Sequence, residues 1–187
     1  MKTVEIERKF LVRNDAWRGE ITDSHQFLQG YLASRGANSV RVRIVDGITG
    51  RLAIKLRRHG LCRQEYEYEI PVEEAQELLA HAAGRILEKT RYNVHHQGSI
   101  WEVDVFEGPH EGLTIAEIEM SSESDSPALP RWIGSEVTGD KRYSNRTLAA
   151  VSAEFRFDMG RINGGSVSKP QAGSNVPMPH ACRTTVP

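Results

Sequence analysis

The chain has 187 residues, of which 24 are basic and 25 acidic, for a formal net charge of -1. That balance supplies no long-range attraction to nucleic acid or to an anionic membrane, so any anion site must come from local arrangement. Cys62 and Cys182 lack ligand-like spacing, and Met1-Lys2-Thr3-Val4-Glu5 reaches charge before any apolar run; a soluble cytoplasmic protein without a signal peptide is expected.

In chain order, segment after segment alternates an apolar or aromatic residue with a charged one, which is the period of a strand. The alternation predicts strands over 4–12, 26–33, 39–46, 51–57, 64–70, 86–94, 99–106 and 113–120. Asp46-Gly47, His59-Gly60 and Gln97-Gly98 punctuate them as hairpin turns. Eight strands can close a barrel. The expected fold class is therefore α+β dominated by β: an eight-stranded antiparallel closed β-barrel with helices packed outside.

Three helical stretches interrupt the strands. From Pro71 to Ala80 a proline opens the first turn, Glu73 and Glu74 follow at the positive end of the dipole, and Ala75, Leu78 and Leu79 form an apolar stripe. Residues 128–134 suggest one short helical turn, and Ser144 or Asn145 could cap a helix carrying Leu148, Val151 and Phe155. Beyond about residue 156 the apolar periodicity stops among Gly160, Gly164, Gly165, Pro170, Pro177 and Pro179. A domain over 1–155 and a disordered Gly/Pro/Ser-rich tail over 156–187 are expected.

Parity carries the functional information, because residues two apart on a strand share a face. On one face fall nine acids (Glu5, Glu7, Glu65, Glu67, Glu69, Glu102, Asp104, Glu117 and Glu119) and seven bases (Lys9, Arg41, Arg43, Lys55, Arg57, Lys89 and Arg91). Arg8, Arg58 and Glu88 break the parity and belong outside. A solvated sheet face with weak cross-strand salt bridges explains any one strand. It explains the whole set poorly, since such a face mixes Thr, Ser, Gln and Asn among its charges. Like charges also sit together within each strand, so each pair repels itself and needs something opposite in the middle. An outer-membrane barrel shares the alternation, but its strands run about 9–11 residues, most of these are shorter, amphipathic helices are interspersed, and no export signal is expected.

Rows of carboxylates raise one another's pKa or hold a hard cation, while neighbouring arginines and lysines suit a polyanion. A triphosphate carried with Mg²⁺ or Mn²⁺ satisfies both. Phosphoryl transfer asks for charge neutralisation and positioning rather than covalent help, which is what such an interior supplies.

Glu5-Ile6-Glu7-Arg8-Lys9 resembles the N-terminal Glu-x-Glu-x-Lys signature of the CYTH superfamily, the triphosphate tunnel metalloenzymes. The later pieces keep the same order: Gly30-Tyr31, Arg41-Val42-Arg43, Lys55-Leu56-Arg57, Glu65-Tyr66-Glu67, Lys89-Thr90-Arg91, Trp101-Glu102-Val103-Asp104, Ala116-Glu117-Ile118-Glu119 and Glu136 to Tyr143. The resemblance spans residue 4 to about 150 and implies Mg²⁺- or Mn²⁺-dependent hydrolysis of triphosphates. It implies that Glu5, Glu7 and Glu119 hold the metal, with Glu117, Glu67 and Asp104 as candidates for a second ion or for orienting water. Lys9, Arg41, Arg43, Lys55, Arg57, Lys89 and Arg91 would clamp the substrate, Lys141 could close one end, and Lys9 and Tyr31 would help activate water.

Among the family's activities, hydrolysis of inorganic tripolyphosphate to pyrophosphate and phosphate is favoured, because the chain shows no added element for a base or thiazolium ring. A nucleotide-using member (class IV adenylate cyclase, NTPase or thiamine triphosphatase) is the second reading. A non-enzymatic polyphosphate-binding module is the third, and it would not need the acids. A small-molecule triphosphate is the expected partner, without nucleic acid or membrane, and a homodimer is left open. His95-His96 reads as surface loop, Gly160 and Gly165 as tail without the lysine of a phosphate loop, and Trp17, Trp101 and Trp132 as packing residues.

Overall fold

The computed structural model describes residues 2–57 and 63–150. Its strands are β1 (Lys2–Glu5), β2 (Glu7–Val12), β3 (Ile21–Arg35), β4 (Asn38–Val45), β5 (Thr49–Arg57), β6 (Arg63–Ile70), β7 (Leu87–His96), β8 (Ser99–Phe106), β9 (Thr114–Glu119) and β10 (Ile133–Glu136). They form one antiparallel sheet in the order β1-β6-β5-β4-β3-β7-β8-β9-β2-β10. Two helices join them, α1 (Val72–Ala80) and α2 (Asn145–Ala150).

Two expectations need correction. Among the described residues the sheet has ten strands rather than eight, and its ladder is open, ending at β1 and β10 instead of closing on itself. The cause lies at Ile6, where the expected first strand breaks. The residues before it pair with β6 and those after it with β9, so the opposite sides of the curled sheet are joined through the chain rather than through a ladder. Ile6 is buried against Met120 and Val4, and its carbonyl accepts from the Met120 amide at 2.8 Å.

The expected helical turn at 128–134 is also overturned, since Ile133–Glu136 is a strand that pairs with β2 across a register shift. The helix of Pro71 to Ala80 is present, and so is the later one, whose Thr147 amide donates to Ser144 Oγ at 3.2 Å. Asp46-Gly47 and Gln97-Gly98 take positive φ in the three-residue β4–β5 and two-residue β7–β8 connections, as type I′ turns require. His95 and His96 are the last residues of β7 rather than loop, and His96 Nδ1 lies 3.6 Å from Glu20. His59-Gly60, Arg58, Val151, Phe155 and the expected tail lie outside the described residues.

Parity sorts the two faces. Outside, Phe10, Trp101, Val103, Ala116 and Ile118 are covered by Trp17 and Trp132, with Trp101 stacked edge-on between Phe10 (5.6 Å) and Trp132 (5.8 Å). The tryptophans are packing residues, as expected. Helix α1 covers Val42 and Ile44 with Ala75 and Leu79. It comes so close that a Cβ on Gly30 would stand 2.8 Å from Ala82 and 2.9 Å from Leu79, so only glycine fits there.

On the inward face the charged rows stop at one end. Leu11, Tyr31, Leu87, Phe106 and Ile115 share the parity of the charged residues on their own strands and pack with Val137, Tyr143, Leu148 and Ala149. The charged interior thereby gains an apolar end wall, built by the chain returning through α2.

Candidate active site

A cavity of about 460 Å³ occupies the charged interior. Of the residues singled out from the sequence, Glu5, Glu7, Lys9, Tyr31, Arg41, Arg43, Lys55, Arg57, Glu65, Glu67, Lys89, Arg91, Glu102, Glu117, Glu119 and Lys141 line it. Asp104 does not. It is wholly buried behind the lining, held by Lys89 and by two bonds of 2.7 Å from Arg91. Arg8 is outside as expected, in a two-pronged pair with Glu136 at 2.9 and 2.8 Å. Glu69, expected inside, is exposed at the end of β6 and absent from the lining.

The structure adds Gln29, Arg63, Thr138, Asp140, Ser144, Asn145 and Arg146 to the lining. Gln29 shares the parity of Tyr31, a signal available in the sequence. The group from Thr138 to Arg146 arrives from a non-alternating segment, where parity says nothing. Arg146 also donates to the Gly36 carbonyl, which ties α2 to the β3–β4 hairpin at the rim.

Acids gather on one wall, since Glu7 faces Glu119 across the β2–β9 ladder and Glu117 faces Glu102 across β8–β9. Bases pair with acids nearly everywhere. Lys55 binds Glu5 at 2.9 and 2.7 Å, Arg41 binds Glu65 at 3.0 Å, and Lys9 binds Glu117 and lies 3.3 Å from Glu7. Glu67 sits among Arg41 (3.3 Å), Arg43 (2.8 Å) and Arg51 (2.8 Å), so it is an arginine organiser here. Arg91 reaches Glu117 at 3.0 Å and also engages Glu102.

These pairs decide which groups are charged. Burial alone would lower the Lys9 ammonium, but Glu117 and Glu7 lift it above the ordinary lysine range. Burial pushes Lys89 down to about 8 against the pull of Asp104. For Glu117 burial works upward, yet Lys9 and Arg91 hold the carboxyl well below its usual value. Burial likewise raises Glu5, helped by its hydrogen bond with Glu65.

Glu119 differs from the rest. Solvent reaches it from the cavity, but the surrounding wall still withdraws water, and with Glu102, Glu5 and Glu7 it raises the carboxyl. Among the described residues no base stands within ion-pair distance of it. No three carboxylate, imidazole or thiol groups among those residues already stand at metal-cage spacing. The donor set nevertheless fits a hard divalent cation: all oxygen, several like charges, and one carboxylate with no cationic partner.

The CYTH domain model matches residues 3–152. The chain belongs to the CYTH family. Its CYTH relatives include an inorganic triphosphatase of Acetivibrio thermocellus, 46% identical over 145 residues that cover 77% of this chain and 92% of that protein. An inorganic triphosphatase of Nitrosomonas europaea is 40% identical over 148 residues, covering 78% and 96%. Among solved CYTH-like structures, that of the inorganic triphosphatase NE1496 aligns with a TM-score of 0.59 at 36% identity, covering 79% of this chain and 95% of the other. No helix among the described residues is long and apolar enough to cross a membrane.

Proposed function

We propose that this CYTH chain is a metal-dependent inorganic triphosphatase that cleaves tripolyphosphate into pyrophosphate and orthophosphate inside the charged cavity. The observation that carries the reading is the convergence of Arg41, Arg43, Lys55, Lys89 and Arg91 with Glu5, Glu7, Glu117 and Glu119 around one space. Two curated relatives bear the same activity in their names.

The internal ion pairs suggest how binding works. Phosphate oxygens take over Lys55, Arg41 and Arg43 from Glu5, Glu65 and Glu67, and Glu5, Glu7 and Glu119 are then the residues that would hold Mg²⁺ or Mn²⁺. Such an ion neutralises charge developing on the phosphate oxygens. Arg57 and Lys141 at the rim, with Lys89 and Arg91 deeper, complete the clamp. Lys9 stays protonated beside Glu117 and Glu7, so it serves as a hydrogen-bond donor rather than as a base. Tyr31, its phenol raised by burial, likewise keeps its proton and orients the attacking water. A loose phosphoryl transition state needs that positioning more than it needs proton removal.

Glu67 and Asp104 leave the metal set in this reading, because Arg51 stays on Glu67 when the phosphate takes the other arginines, and Asp104 is buried behind the lining against Lys89 and Arg91. Orthophosphate release from tripolyphosphate, ATP, GTP and thiamine triphosphate, measured with Mg²⁺ and with Mn²⁺, tests the proposal. Tripolyphosphate is expected to be cleaved fastest. Preference for a nucleotide, or cyclic AMP formed from ATP, would move the chain to the nucleotide-using reading.

A further inference from the structure

Gln29 is 1% exposed, yet its side chain belongs to the cavity wall. It sits two residues before Tyr31 on β3, on the same inward face, and its Nε2 donates to Tyr31 Oη at 3.3 Å. The residues opposite it in the ladders are Arg43 and Leu87; the Arg43 side chain turns to Glu67, and that of Leu87 has no polar atom to offer the Gln29 amide. An amide so deeply buried costs free energy unless it is used, and an apolar side chain of equal volume would pack as well against Leu87. The separation is at the long end for a hydrogen bond, as contacts around a reacting centre commonly are before substrate arrives.

We propose that Gln29 is a positioning residue for the triphosphatase reaction: by filling one lone pair of the Tyr31 oxygen, it leaves the phenolic proton as the group presented to the cavity. The inference rests on the triphosphatase reading and names a determinant of its rate. A tyrosine hydroxyl rotates freely and both donates and accepts. With Gln29 donating from one side, the hydroxyl donates into the cavity, where water or a phosphate oxygen accepts. Without Gln29 the proton has alternative directions, and fewer encounters begin with the water correctly held.

The test uses Gln29→Leu, Tyr31→Phe and their combination in the full chain. Gln29→Leu is expected to lower kcat on tripolyphosphate roughly three- to tenfold, the worth of one ordinary hydrogen bond, with little change in KM. In the Tyr31→Phe background the same substitution should change nothing further, because the group it acts through is gone. The ¹³Cζ resonance of Tyr31, assigned by its loss in Tyr31→Phe, should move in Gln29→Leu while the other tyrosine signals stay. If Gln29→Leu does not fold, Gln29→Asn, whose amide is too short to reach Oη, should show the same pattern. Additive losses in the double variant, a rise in KM with kcat intact, or an unmoved Tyr31 resonance would each overturn the inference. A wild-type protein without any triphosphatase activity overturns the functional reading as well, whereas active wild type with additive losses overturns this inference alone.

Discussion

Glu7 on β2 and Glu119 on β9 stand directly opposite one another in an antiparallel ladder. Like charges in that relation destabilise a sheet, and Glu102 and Glu5 add to the repulsion felt at Glu119. In the proposed function, a divalent cation shared by these carboxylates would relieve that repulsion.

Glu119→Gln is therefore expected to abolish metal-dependent turnover while leaving the metal-free protein equally or slightly more stable. The gain should be about 0.2–0.5 kcal/mol, small because solvent screens this carboxylate. The sign follows from linkage. The folded carboxyl lies above its ordinary 4.5, so the folded state binds more protons in that window and its charge costs stability at neutral pH. The advantage of the glutamine should shrink as pH falls through the raised value. Denaturant unfolding at pH 7 and pH 4 with chelator measures both, and a large loss at pH 7 would make Glu119 a structural residue.

Asp104→Asn should behave in the opposite way. Asp104 neutralises two buried cations, Lys89 and Arg91, and removing one partner of a buried ion pair costs about 3–5 kcal/mol. Burial raises the carboxyl, but Arg91 and Lys89 hold it below the ordinary 3.8. Its contribution is thus fully present above that ordinary value and lost as pH falls through the lower folded one. Urea melts at neutral pH should show the loss, and a stable variant with weakened metal binding would return Asp104 to the metal set.

Much of this site was readable from alternation alone, and its failures are instructive. Parity put Arg41, Arg43, Lys55, Lys89, Glu117 and Glu119 on one face, and they share one cavity. It could not tell lining from buried backing, because Glu102 and Asp104 share a face and differ in depth. Nor could it show the break at Ile6, since Glu5 and Glu7 keep their inward parity across it. Strand β10 escaped notice because it owes its existence to pairing with Val12 and Phe10, while Pro130 and Trp132 beside it look like a turn. The apolar end wall was hidden for a similar reason: Leu11, Phe106 and Ile115 share the inward parity, but alternation does not say what covers them until the return of α2 is known.

Lys89 provides a pH test. With its pKa near 8, the amine is charged below that pH and neutral above it. KM for tripolyphosphate should rise as pH increases through about 8 at constant metal excess. Lys89→Arg, which stays charged far above this range, should flatten the profile. An unchanged profile in the variant would detach the dependence from Lys89.

Leu148→Ala probes the end wall. This side chain is 1% exposed, and truncation should cost about 2–5 kcal/mol of stability through a cavity against Leu87 and Phe106. Thermal or urea unfolding reads the loss. A change below about 0.5 kcal/mol would mean that α2 is not part of the packed end of the fold.

In the proposed reaction this cavity joins a divalent cation to a triphosphate and cleaves its terminal phosphoanhydride. Phosphorus NMR of tripolyphosphate with the full chain follows that directly. With Mg²⁺, or with Mn²⁺ removed by chelator before the spectrum is taken, the signals should give way to one pyrophosphate per orthophosphate, and with chelator throughout they should persist. Cleavage that proceeds equally with chelator, or no cleavage with either ion, would contradict the account.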